Sequence, residues 1–155
     1  MSTIICHDSD GKPVQVAPEA LQFRPAAYGI FIENELILLQ KQPESGLWYP
    51  PGRPLCSQDT PAQAIRHHFR QLIGVIPIIG SFLFVAEQYL IDAAQNAWRE
   101  AQTYYLVERP PVVETTLPAV GTTVPPEWVP LTDLTRTQMQ FGYDAVQAGW
   151  LLLRG

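Results

Sequence analysis

The chain has 155 residues, 46% hydrophobic and 16% charged, with a formal charge of −5. That length suits one domain able to bury ~68–70% of its unfolded surface. Its ten Lys and Arg residues are scattered. They offer no clustered basic surface of the kind that a nucleic-acid duplex or an anionic membrane requires.

Cys6 and Cys56 have neither a metal-site nor a redox spacing, so both are expected to be reduced. MSTIICHDSD lacks a basic leader region and meets acids at Asp8 and Asp10, unlike a signal peptide. The apolar run Trp150 to Leu153 is too short to span a bilayer. The expectation is a cytoplasmic protein with no membrane segment and no duplex nucleic-acid partner.

In chain order, residues 1–24 lack strong periodicity and read as an arm or a short edge strand. Ala26 to Phe31 and Leu36 to Leu39 are apolar runs around Glu33-Asn34-Glu35, the pattern of a β-hairpin. A proline- and glycine-rich loop runs from Pro43 to Pro54. The clearest helix follows, with Thr60 as N-cap, Pro61 at its first position, Gln63 completing a capping box and Gly74 ending it. Helical spacing puts Ile65, Phe69, Leu72 and Ile73 on one stripe, with Gln63, Arg66, His67 and Arg70 opposite. Val75 to Leu90 and Thr103 to Val107 read as strands separated by a longer polar loop, Asp92 to Glu100. Residues 108–126 are proline-punctuated loop, because proline cannot donate to a ladder. Glu127 to Leu131 is a short strand. A helical region begins near Leu134, with Phe141, Ala145, Ala148 and Leu152 at roughly helical spacing. This order predicts a mixed α/β domain.

The segment WYPPGRPLCSQDTPAQAIRHHFRQLIGV, Trp48 to Val75, resembles a degenerate Nudix box. The family pattern is G-x5-E-x7-R-E-U-x-E-E-x-G-U, where U is bulky and apolar. RPAAYGIFIENELILLQKQ resembles the first hairpin of the Nudix hydrolase family, and EWVPLTDL resembles the strand and helix start that close many such domains. The resemblance implies a Nudix fold, a mixed β-sheet sandwiched between helices. It implies one domain over 1–155, with 1–24 an arm or edge strand, 25–135 the core and 136–155 a C-terminal helix.

Aligned without gaps from Gly52 to Val75, the box has Arg53 at its first glycine and Asp59 at its first glutamate. His67 takes the arginine position, His68 the adjoining glutamate, and Gln71 and Leu72 the paired glutamates. The resemblance implies hydrolysis of nucleoside diphosphates linked to another moiety, with Mg²⁺ or Mn²⁺ polarising the diphosphate and activating water. Positions 68, 71 and 72 share one helical face. Three carboxylates there would suit a hard cation; an imidazole, an amide and a hydrocarbon do not. Asp59 is the only carboxylate left at a box position. The expectation is therefore a weak or inactive hydrolase using Mg²⁺ or Mn²⁺ if active, with no cofactor otherwise. The alternatives are a non-catalytic nucleotide-binding or protein-interaction module and a purely structural protein. Asp59, His68 and Gln71 are the candidate catalytic positions, and Arg53 is the candidate substrate-binding residue.

Blander readings stand beside these. His67 and His68 read as a solvent-exposed pair, the alternative being a metal or phosphate site. Leu72 reads as core. Arg66 and Arg70 read as a solvated face. Glu87, Glu100, Glu114 and Glu127 could furnish a relocated base, although isolated glutamates are mostly solvated. Trp98, Tyr104 and Tyr105 could stack on a base, although strand aromatics are more often core. A homodimer is the base-rate oligomer.

Overall fold

The computed structural model describes residues 3–8, 10–111 and 125–155. Its strands are β1 (Ile4–His7), β2 (Pro13–Val16), β3 (Leu21–Glu33), β4 (Leu36–Lys41), β5 (Trp48–Tyr49), β6 (Gly52–Pro54), β7 (Ile78–Ile91), β8 (Ala97–Glu108) and β9 (Glu127–Pro130). The helices are α1 (Pro61–Ile73) and α2 (Tyr143–Arg154). The sheet runs β2-β1-β7-β8-β3-β4-β5, with β6 also on β3 and β9 also on β4. No helix among the described residues is long and apolar enough to cross a membrane.

The centre is β3, parallel to β8 from Leu21 through Phe31. Ala26 to Phe31 is buried without interruption, as expected of a strand covered on both faces. On one face Ala27 and Phe31 pack with Leu38 and Val107 against Ala64, Ile65 and Phe69 of α1. On the other, Tyr28 and Ile30 pack with Leu39 and Tyr104 against Ala145 and Val146 of α2. Gly29 allows α1 to come close, since a Cβ there would lie 2.7 Å from Phe69 Cε1. Burying side chains such as Ile65 and Phe69 stabilises the layer by about 1.5–3 kcal/mol each.

Local signals produce the two elements that the sequence marks most clearly. Asn34 and Glu35 both take positive φ, 53° and 62°, which gives the β3–β4 hairpin a type I′ turn matched to strand twist. In α1 the Thr60 side chain accepts from the Gln63 N–H and the Gln63 side chain accepts from the Thr60 N–H. Gly74 ends the helix at φ 72°, a conformation that glycine adopts without a Cβ penalty.

Three expectations change. Residues 1–24 form more than a single edge strand: β1 and β2 pair antiparallel from Ile4–Val16 to His7–Pro13. The loop expected from Asp92 to Glu100 shrinks to a turn, and β8 begins at Ala97. The Asp92 carboxylate closes that turn by accepting the Ala94 and Asn96 N–H groups, both at 2.9 Å, and the Trp98 indole N–H at 2.7 Å. The Trp98 bond, reinforced by the amides, holds Asp92 below the ordinary carboxylate range. Finally, α2 starts at Tyr143, after short 3-10 turns at Leu131–Asp133 and Arg136–Gln138. Gly142, at φ 90°, separates it from Phe141. The buried side of α2 is therefore Ala145, Val146 and Gly149, while Leu152 is exposed. The proline-punctuated stretch lies mostly outside the described residues, as does Glu114.

Candidate ligand-binding cleft

Pairing of β6 with β3 sets Arg53 opposite Ala27, on the α1 side of the sheet. There His68 leans toward β4, and its Nε2 donates to Gln40 Oε1 at 2.8 Å. Gln40 is only 4% exposed. Burial first, and the Arg53 charge second, push the His68 imidazole down to about 4. It is neutral at pH 7. Arg53 enters none of the ion pairs among the described residues, and its Nε is buried without a hydrogen-bond partner.

His67 is exposed, as the helical wheel requires, whereas His68 is half-buried. The exposed-pair reading therefore fails for His68. Gln71 is exposed and Leu72 is only half-buried, short of the full burial expected of a core residue. The Asp59 carboxylate accepts the Cys56 N–H at 3.3 Å, closing the turn before α1. Among the described residues no three His, Cys, Asp or Glu side chains converge on a possible metal position. An imidazole already bonded to an amide, a second amide and a hydrocarbon do not fit Mg²⁺ or Mn²⁺, which take oxygen ligands with carboxylate charge.

The neutral His68 has a consequence for stability. The unfolded chain takes up this proton near pH 6.5 and the folded chain only near pH 4. The unfolded state thus binds more protons in between, so the contribution is complete above pH 6.5 and is lost as pH falls toward 4. About 3 kcal/mol should disappear over that window. His68→Gln should flatten this limb of a urea-denaturation pH profile; an unchanged slope would refute the buried neutral imidazole.

The opposite face of β3 carries a different chemistry. Register with β8 puts Arg24 beside Glu100 and Tyr28 beside Tyr104, and the strand period of two keeps Glu100, Gln102 and Tyr104 on one side. Glu100 is 1% exposed. Its Oε2 accepts Arg24 Nε at 2.7 Å; its Oε1 accepts the Tyr28 hydroxyl at 2.6 Å and Gln102 Nε2 at 2.8 Å. Gln102 Oε1 accepts the Tyr104 hydroxyl at 2.5 Å. Burial, reinforced by the Glu100 charge, raises both phenols far above their ordinary range, so they remain donors.

This network floors a cleft of about 300 Å³. Arg24, Tyr28 and Glu100 line it with Tyr49, Asp92 and Phe141. Phe141 bridges two rings, with centroids 5.0 Å from Tyr28 and 5.6 Å from Tyr49. The Arg24 guanidinium lies 4.5 Å over the Trp98 ring, which fixes its plane.

No protein-family model matches the sequence, and no curated protein matches it either. Solved structures do. A MutT NUDIX hydrolase from Burkholderia pseudomallei is similar, with TM-score 0.61 and 21% identity over 82% of this chain and 98% of that one. A NUDIX-family hydrolase from Clostridium perfringens gives TM-score 0.60 and 12% identity, over 86% and 98%. An ADP-ribose pyrophosphatase from Streptococcus suis gives TM-score 0.51 and 16% identity, over 84% and 90%. The chain has the Nudix hydrolase fold. At these identities the likeness establishes architecture.

Within this Nudix fold, the three described glutamates of the four singled out beyond the box separate clearly. Glu87 is exposed, 3.8 Å from Arg99, and Glu127 is exposed on β9. Glu100 is the buried one, on the sheet face away from Arg53 and His68. Tyr104 is part of its network, Trp98 clamps Arg24, and Tyr105 packs edge-on against Phe82 at 5.6 Å. Trp48 is half-buried against the α2-side core. Arg24, Tyr28, Gln40, Tyr49 and Phe141 were not marked as site residues by the sequence. One signal was present: Glu100, Gln102 and Tyr104 alternate, as do Arg24 and Tyr28, a polar stripe at strand spacing.

Proposed function

We propose that this Nudix-fold chain binds a nucleoside-diphosphate-type small molecule in the Arg24–Glu100 cleft and does not perform standard metal-dependent hydrolysis. The observation that carries this reading is the His68–Gln40 pair beside Arg53. It occupies the α1 face where the sequence resemblance calls for a carboxylate ligand. The likeness to an ADP-ribose pyrophosphatase supports the ligand class. Mg²⁺ and Mn²⁺ have no part in this reading, and the degenerate box is its explanation.

The roles follow from the geometry. Arg24 spends its Nε on Glu100, leaving its terminal amino groups to meet a diphosphate oxygen. Glu100 is a positioning residue: it holds Arg24 in place. Tyr49 and Phe141 supply an aromatic wall for a ring.

The test is thermal stabilisation by ADP-ribose, dinucleotides and nucleoside triphosphates, each with Mg²⁺, with Mn²⁺ and with EDTA. A ligand at a hundred times its Kd stabilises by ~2.7 kcal/mol, which should raise Tm by about 5 °C or more. The shift should survive EDTA, disappear in Arg24→Ala and occur without phosphate or nucleotide release. Metal-dependent turnover abolished by Asp59→Asn would replace this reading with a hydrolase.

A further inference from the structure

The cleft over Arg24 and Glu100 continues across the sheet. Register sets Gln88 of β7 opposite Glu100, Ala86 opposite Gln102 and Phe84 opposite Tyr104. Directly opposed residues share a face, so these three side chains stand on the face that carries the polar network. One same-face step further, Leu90 lines the cleft already described. Gln88, Ala86 and Phe84 line a second hollow, of about 180 Å³. The two meet under one overhang, since Gln140 and Phe141 border both. Two strand spacings, about 10 Å, separate the β3 and β7 backbones along this row.

A small side chain and a glycine turn keep the second hollow open. Ala86 lays only a methyl group on the floor between Gln88 and Phe84. Gly142, at φ 90°, carries the chain over Tyr104, where a Cβ would lie 3.2 Å from Tyr104 Cε1 and 2.8 Å from Pro50 Cγ.

The chemistry differs from that at the Arg24 end. Arg136 Nη2 donates to Asp144 Oδ1 at 2.6 Å, and its guanidinium lies 4.8 Å over the Tyr143 ring. This pair cancels its own charge, so it offers a phosphate no net positive charge. The rim offers instead the Gln88 amide, the second Asp144 oxygen and the Gln140 amino group, whose own amide oxygen accepts from Gln42. A hydroxyl both donates and accepts and can satisfy all three. An apolar tail would strand them, and an aromatic ring already has the Tyr49–Phe141 wall at the other end.

We propose that the second hollow receives an uncharged polyhydroxyl group, a sugar joined through the diphosphate to the nucleoside, with Gln88 as a specificity-determining residue. This rests on the binding reading above and adds an orientation to it. The diphosphate lies at Arg24, the nucleoside ring on the Tyr49–Phe141 wall, and the sugar over β7.

Calorimetric titration of the full chain in EDTA, with ADP against ADP-ribose and UDP against UDP-glucose, tests it. In at least one pair the sugar-bearing ligand should bind about tenfold more tightly, the scale of one or two hydrogen bonds. Gln88→Leu removes the amide and Ala86→Leu fills the floor. Each should erase that tenfold advantage while the nucleoside diphosphate, which stops short of the hollow, keeps its Kd. Circular dichroism and ligand-free Tm establish that each variant is folded, and Gln88→Leu carries the test alone if the larger Ala86 side chain disturbs the core. Equal Kd values within both pairs would overturn the sugar site and leave the binding reading standing, as would a sugar advantage that survives Gln88→Leu. If no ligand of either pair binds, both readings fall.

Discussion

Glu100→Ala is expected to destabilise the fold by about 3 kcal/mol, the lower end of the cost of removing one partner from a buried ion pair. The lower end applies because Arg24 is 23% exposed and can recover some hydration. The change also removes the acceptor for the Tyr28 hydroxyl and for Gln102 Nε2. Each orphaned buried donor carries a desolvation penalty of about 1–3 kcal/mol. Urea unfolding should show a lower midpoint with an unchanged slope. Arg24→Met provides the complementary experiment: it leaves Glu100 charged and 1% exposed, so it should be at least as damaging. A double variant, Arg24→Met with Glu100→Leu, should recover part of the loss, since apolar replacement of a buried pair is often near neutral. If Glu100→Ala lowers stability by less than 1 kcal/mol, the network is not holding the cleft.

Gly52→Ala should be at least as costly, about 3 kcal/mol or more on the scale of a forced core or backbone displacement. A Cβ at this position would collide with the Ala27 carbonyl oxygen and come within 2.6 Å of the Tyr28 Cα. Both are backbone atoms of β3, so neither can rotate aside. Strand β6 would have to leave β3, breaking the Tyr28–Gly52 and Ala27–Arg53 pairings and carrying Arg53 away from His68. The measurements are the urea midpoint and the His68 titration by NMR, which should move back toward its ordinary value. Wild-type stability in Gly52→Ala would show that β6 is not pressed against β3.

These two residues mark where the sequence was legible and where it was not. The α1 helix could be read in advance because its signals are local: Thr60, Pro61 and Gln63 at one end and Gly74 at the other. The β3–β4 hairpin was likewise visible as apolar runs around a polar turn. The cleft was not, because Arg24 and Glu100 are 76 positions apart and meet only through the β3–β8 register. Glu100 and Gln102 resemble loop residues until a parallel neighbour supplies their partners, and for that reason Asp92 to Glu100 read as a long connection. The start of α2 was obscured similarly, since Phe141 fits the helical spacing but is used as a wall. Of the box positions, the lack of carboxylates on α1 was plain in the letters. The partner of His68 was not, because Gln40 comes from another strand.

The wall formed by Phe141 also bears on the order in which the protein takes shape. Gln140 donates its backbone N–H to the Trp48 carbonyl at 2.8 Å, and its side chain accepts from Gln42 at 3.1 Å. Phe141 then closes on Tyr28 and Tyr49. A chain emerging from the ribosome can assemble β3, β4 and α1 from sequence already made, but the groove beside them stays one-sided until residues near 140 arrive. Long-range closures of this kind come late. The cleft is therefore completed only once residues near 140 have been made and have docked on Trp48, Tyr28 and Tyr49.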